Sequence, residues 1–127
     1  MKQIHTDHAP QAVGPYSQAV DINGTLYISG QIPFDPETMT LVSEDVAGQT
    51  AQSLRNIKAI VEEAGYKTSD IVKCTVYLKN MHEFGKMNGV YADFFGDHKP
   101  ARAAVEVSRL PKDVQVEIDA ICVKSEG

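Results

Sequence analysis

The sequence predicts an α+β domain with strands and helices in the order β-β-β-α-β-α-β-β. Three observations carry this reading. Apolar residues alternate with a period of two along 25–31, 71–78, 101–107 and 114–120, the signature of half-buried strands. Two longer segments, 45–64 and 84–95, repeat their apolar residues at helical spacing instead. With 127 residues and 43% hydrophobic content, the chain suffices for one core, so 1–127 is read as a single domain.

Taken in order, the first 18 residues are broken by Pro10, Gly14 and Pro15, with a short strand near Gln3 to His5. Strands at 19–22 and 25–31 flank Asn23-Gly24, a dipeptide that tolerates positive φ and closes a hairpin. Leu26 and Ile28 form one face of the second strand, while Thr25, Tyr27, Ser29 and Gln31 form the other. Gly30 marks either a bulge or a close approach of the backbone to a ligand.

The first long helix runs from about Asp45 to Ala64, with Val46, Thr50, Leu54, Ile57 and Val61 inward and Gly65 at the stop. Its Gln49, Gln52, Arg55, Lys58 and Glu62 are expected in solvent. A strand follows at 71–78, with Val72, Cys74, Val76 and Leu78 inward. Asn80 and Glu83 form an N-cap pair for a second helix, whose core stripe is Phe84, Met87, Tyr91 and Phe94. In the last two strands Ala101, Ala103, Val105 and Val107 are read as core, as are Val114, Val116, Ile118 and Ala120. Arg102 and Glu117 then fall on polar faces.

Two helices cover one face of such a sheet. The other, carrying Tyr27, Ser29, Tyr77 and Arg102, has nothing in the chain to cover it, which implies an oligomer packed through that face. No apolar run approaches the roughly 20 residues of a membrane span. The opening MKQIHTDHAP lacks the apolar region of a signal peptide, so a cytoplasmic location is expected. The net charge of −5 disfavours a general nucleic-acid surface. Cys74 and Cys122 read as buried free thiols, and the scattered His5, His8, His82 and His98 fill no metal-ligand set.

Candidate site residues come with plain alternatives. Arg102, mid-strand beside the small Ala104, suits a rigid two-pronged grip on a carboxylate, although the pattern alone favours a surface ion pair. Tyr16, after Pro15, is either a functional loop residue or a packing one. Asn88 lies one position off the helix stripe and reads either as an edge residue aimed at a site or as ordinary exposed asparagine.

GPYSQA at 14–19, YISGQIP at 27–33, the helix bearing Met87-Asn88 and VYADFF, and PARAAVEVSRLPKDVQVEI at 100–118 resemble the Rid family of imine and enamine deaminases. Some of its members carry the description translation inhibitor or endoribonuclease. The resemblance spans nearly the whole chain. It implies a chorismate-mutase-like fold, a homotrimer with clefts between subunits, and the sheet order 1-2-3-6-4-5. The spacing alone suggests a hairpin of 100–108 with 114–123. The resemblance instead inserts the strand at 71–78 between them.

By the same resemblance Arg102 binds a carboxylate, Glu117 positions or activates water, and Tyr16, Ser29 and Asn88 line the cleft. Tyr16 is also a candidate proton donor. Ala104 stands where many members carry cysteine. That removes a thiol nucleophile and leaves a backbone carbonyl that could hold water or the substrate nitrogen. The implied reaction is cofactor-free hydrolysis of 2-aminoacrylate, 2-aminocrotonate and their imine tautomers to 2-keto acids and ammonia. The alternatives are a non-catalytic binder of small carboxylates, a structural or chaperone-like trimer and an endoribonuclease. The acidic charge and the absence of a histidine pair in the matched motifs count against the last.

Overall fold

The computed structural model describes residues 1–125. Six strands form one mixed sheet: β1 (Lys2–Ile4), β2 (Ala19–Ile22), β3 (Thr25–Gln31), β4 (Ile71–Leu78), β5 (Ala101–Glu106) and β6 (Val116–Val123). Two helices, α1 (Val46–Glu63) and α2 (Phe84–Phe95), separate β3 from β4 and β4 from β5. The sheet order is β1-β2-β3-β6-β4-β5, as the resemblance implies. The local hairpin of β5 with β6 does not form. Instead β5 runs parallel to β4 through the α2 crossover, and β4 pairs antiparallel with β6.

Local chemistry accounts for the elements. Asn23, at φ 51°, and Gly24 turn the β2–β3 hairpin. The Asp45 carboxylate caps α1 by accepting from the Gly48 amide at 3.1 Å, and Gly65 at φ 83° ends it. Asn80 accepts from the His82 amide at 3.0 Å and opens a short 3-10 turn that leads into α2. Both helices pack on one face, over Leu26, Ile28, Cys74, Val76, Leu78, Val116 and Ile118, all buried. Among the described residues no helix is long and apolar enough to cross a membrane.

Three expectations are corrected. Gln49 and Gln52 are buried rather than solvated: Gln49 donates to the Ser43 carbonyl of the preceding loop, and Gln52 donates to the buried Asn56 one turn on in the same helix. Val72 is exposed, since a bulge between Ile71 and Lys73 turns it outward. On β5 the alternation holds but its sense is reversed. The register Cys74↔Arg102 and Val76↔Ala104 puts Arg102 and Ala104 on the helix-covered side, whereas Ala101, Ala103 and Val105 share the open face with Tyr77. Arg102 therefore does not lie with Tyr27, Ser29 and Tyr77. The physical reason is that β5 is the sheet edge. There α2 covers the strand incompletely, and the apolar set meets the uncovered side.

Candidate active site

The site residues fall into two groups on opposite sides of the sheet. The first is built on the β5 edge. The Arg102 guanidinium donates to Asn88 Oδ1 on α2 at 2.7 Å. Its carbon lies 4.8 Å from the Tyr91 ring centroid and 5.4 Å from that of Phe84. Asn88, Tyr91 and Phe84 lie three or four residues apart, on one face of α2, so one helix turn and its neighbour hold the cation on three sides. Among the described residues no carboxylate forms an ion pair with Arg102. The guanidinium opens onto a cavity of about 400 Å³ that also involves Phe95, His98 and Pro100.

Ala104 packs against the core beside Val76, where a larger thiol side chain would also point. Below Arg102 the thiol of Cys74 is raised to about 11, chiefly by burial, so it rests as a neutral thiol rather than a nucleophile.

The second group sits where β3 meets β6. The register breaks between Ile28 and Gln31, a bulge that confirms one of the two readings of Gly30. The backbone there is also closely approached by a side chain of the same chain: a Cβ on Gly30 would collide with the Glu117 carboxylate, whose Cδ would lie only 2.9 Å away. Glycine is thus what lets the carboxylate lie across the strand.

Burial, and secondarily the nearby Asp119, raise the Glu117 carboxyl above the usual range. Asp119 itself accepts from the Tyr77 hydroxyl at 3.0 Å. Ser29 Oγ donates to the Ser17 carbonyl at 2.6 Å, and Ser29 N donates to the Gln18 carbonyl at 2.9 Å, which ties the 10–18 loop to β3. The Tyr16 ring is half exposed, and its hydroxyl accepts from the Val13 amide at 3.3 Å. Val13, Tyr16, Ser29, Gly30, Pro111 and Glu117 border a cavity of about 510 Å³.

One chain therefore brings Arg102 together with Asn88, and Glu117 together with Tyr16 and Ser29, but leaves the two sets apart. Several supporting residues escaped the sequence reading. Gln18 is buried, with its amide donating to the Thr6 and Pro10 carbonyls at 3.0 and 2.8 Å and accepting from Thr6 N at 2.7 Å, so it shapes the loop bearing Tyr16. Its signal was its place inside GPYSQA. Tyr91 and Phe84 were assigned to the core stripe, and only the parallel β4–β5 register reveals that the stripe ends under Arg102. Among the described residues no three His, Cys, Asp or Glu side chains cluster as a metal site requires.

Comparison with known proteins agrees over almost the whole chain. The family model described as Endoribonuclease L-PSP matches residues 6–124. A RutC family protein of Pyrococcus horikoshii is 59% identical over 95% of this chain and 96% of its own. A 2-iminobutanoate/2-iminopropanoate deaminase of Salmonella typhimurium is 53% identical over 97% of this chain and 98% of its own. Among solved structures, Escherichia coli TdcF with bound serine superposes with a TM-score of 0.94 at 46% identity, covering 98% of this chain and 100% of that one.

Proposed function

The chain belongs to the Endoribonuclease L-PSP family, the family of the Rid deaminases, and on that premise we propose that it hydrolyses small 2-imino acids and their enamine tautomers to 2-keto acids and ammonia. The observation that carries the reading is Arg102. Its guanidinium is held by Asn88 and two rings at a cavity mouth, and among the described residues no carboxylate pairs with it. A planar fork held this way fits a substrate carboxylate in two-pronged fashion.

The two separated groups support assembly as a trimer, in which Arg102 and Asn88 of one subunit face Tyr16, Ser29 and Glu117 of the next. The open sheet face supports the same assembly. Tyr27, Val105 and Val123 are exposed there, beside Ala101 and Ala103, an apolar surface of the kind that oligomers bury.

In this arrangement Arg102 anchors the carboxylate and draws electrons from C2. An enamine first takes a proton at its terminal carbon, giving the imine. Water adds to C2 and gives a proton to Glu117, whose carboxyl, raised above its ordinary value by burial, is a better proton acceptor than an exposed one. The carbinolamine nitrogen then takes up that proton, and as the C–N bond breaks and ammonia leaves, the hydroxyl proton passes back to Glu117, so that C2 becomes the carbonyl of the 2-keto acid. Tyr16 serves as a donor at the mouth. Since the imine is already electrophilic, orientation and proton transfer supply what is needed.

The test is direct: 2-aminoacrylate is generated in the cuvette, and pyruvate and ammonia release are followed with and without the protein. Acceleration that tracks protein concentration is expected, and a rate equal to that of buffer alone refutes deamination. A second reading, a binder of small carboxylates without turnover, is favoured by the similar TdcF having been solved with serine bound. Tight 2-keto acid binding with no acceleration would select it.

A further inference from the structure

The chain holds two side-chain-bearing residues in succession in left-handed backbone. Lys112 stands at φ 57° and Asp113 at φ 55°, within the short 3-10 turn Pro111–Asp113 that leads into β6. A Cβ makes this conformation unfavourable, least so for aspartate and fully so for lysine. Such strain persists where the surroundings enforce it, and it gathers at functional sites.

The enforcing contacts are identifiable. Arg109 grips Asp113 with two prongs, Nε donating to Oδ1 at 2.8 Å and Nη2 to Oδ2 at 3.3 Å, across the strained turn. The hydrogen bond from the guanidinium lowers the Asp113 carboxyl below its ordinary value, which keeps the pair ionised. An exposed ion pair ordinarily contributes little, and two-pronged geometry is the exception. Within the bracket, Asp113 N donates to the Leu110 carbonyl at 3.0 Å and Val114 N to the Pro111 carbonyl at 3.3 Å. Leu110 and Val114 are buried, so both ends of the turn are pinned to the body of the protein. Gln115 N donates to Gln49 Oε1 on α1 at 2.8 Å, and Lys79 N donates to the Gln115 carbonyl at 3.0 Å.

The tip of the turn meets the proposed site. Pro111 borders the Glu117 cavity together with Tyr16, Ser29 and Gly30. Glu117 is the second residue of β6, the strand that the turn launches. The Arg102 cavity takes no residue from this turn.

We infer that Arg109 and Asp113 are positioning residues. Their pair holds the turn in its left-handed form, and the turn sets Pro111 against Tyr16 and fixes the entry of β6, hence the place of the Glu117 carboxylate. The inference rests on the proposed deamination and adds two residues that the substrate does not touch.

The experiment compares Arg109→Gln, Asp113→Asn, the two together, and Arg109→Gln combined with Lys112→Gly. Amide hydrogen exchange is followed at Asp113 and Val114, whose bonds close the turn. The same samples give kcat and KM on imine generated in place, 2-oxobutanoate affinity by calorimetry, the denaturation midpoint and the sedimentation profile.

Each single variant should exchange at least about tenfold faster at those two amides, as local opening becomes easier. kcat should fall about ten- to a hundredfold, the scale on which small misplacement acts. KM and 2-oxobutanoate affinity should stay within about twofold, because the Arg102 group sets them. The double variant should be no worse than either single one, as expected of two halves of one contact. Lys112→Gly accepts the positive φ without strain and should restore much of the lost kcat.

Unchanged exchange in the single variants means that the pair does not hold the turn, and overturns the inference. So does faster exchange with unchanged kcat, or a kcat loss that glycine leaves in place. Weakened 2-oxobutanoate binding at constant kcat would put the pair on the ligand, and a loss that merely follows the denaturation midpoint or the breakdown of the assembly would make its role structural; either result sinks the positioning role. Absence of turnover in the unaltered protein refutes deamination instead, and the exchange rates then decide alone whether the pair holds the turn.

Discussion

Replacing Arg102 by alanine removes the one group to which the proposed site assigns the substrate carboxylate. The size of the loss follows from its surroundings. Arg102 donates to Asn88 at 2.7 Å and lies over two rings, so the fork is pre-oriented, and little entropy is lost when a carboxylate meets it. A charge-assisted pair in a partly enclosed site, with the cost of leaving the substrate charge unpaired, is worth about 2–4 kcal/mol. At about 1.4 kcal/mol per decade, kcat/KM should fall about 30- to 1000-fold. Arg102→Lys should recover little, because a point charge reproduces neither the fork nor the stacking on Tyr91 and Phe84. The assay is kcat/KM on imine generated in place, with sedimentation on the same samples. Near-normal activity in an intact assembly would remove Arg102 from the mechanism. Loss of the assembly would show that the arginine holds subunits together instead.

Glu117→Gln should keep 2-keto acid affinity while lowering kcat, and unchanged kcat near neutral pH would assign water activation elsewhere. Because the folded-state pKa of Glu117 is raised, its contribution to stability is fully present below its unfolded pKa and is lost as pH rises through the folded one. The same substitution should therefore raise the melting temperature at neutral pH, and a drop there would contradict the burial argument. Asp119→Asn, by removing the neighbouring charge, should move the acid limb of the kcat/KM profile to lower pH, and an unmoved limb would exclude that coupling. Gly30→Ala should displace the Glu117 carboxylate and reduce kcat more than it changes the denaturation midpoint. Asn56→Ala strands the Ile32 and Phe34 carbonyls and should cost about 1–3 kcal/mol in denaturant unfolding, and a change within error would mean that the loop holds itself.

The elements were legible because the periods are clean. Alternation of two placed β3, β4 and β6, and the helical stripes placed α1 and α2, within a few residues of the observed bounds. The sense of an edge strand was not legible. On β5, alternation says that Ala101, Ala103 and Val105 share a side, but not whether that side meets a helix of the same chain or lies open. Apolar character alone favoured the core, and the register shows the open face. Likewise Gln49 and Gln52 carry a polar pattern that reads as solvent, yet both are buried: the Gln49 amide replaces water for the Ser43 carbonyl, and Gln52 donates to Asn56, which in turn holds the Ile32 and Phe34 carbonyls. Gln18 follows the same logic in the loop that precedes β2. The candidate site was legible as a set of residue types, and its division into two groups was not, since that depends on which strand pairs with which.

That division bears on what β5 is for. An edge strand exposes unpaired backbone groups, and a charged residue there is a common guard against further pairing. Guarding requires only that the charge be solvated. It gives no reason for Asn88 to present an acceptor at 2.7 Å, nor for the Tyr91 and Phe84 rings to stand 4.8 and 5.4 Å from the guanidinium carbon. An orienting cage costs side-chain entropy, and it repays that cost where direction matters, as it does for a two-pronged contact. The opposite side of the same strand offers Ala101, Ala103 and Val105, small and apolar, in register with Lys73, Thr75 and Tyr77 of β4. A single six-residue strand thus carries an oriented cation on one side and a surface fit for close packing on the other. In the proposed trimer that surface would pack against a neighbouring subunit and fix where the β5 edge stands relative to that subunit's Glu117 cavity. Assembly and site geometry are then set by alternate residues of one strand, which ties the proposed trimer and the proposed chemistry to the same short stretch of sequence.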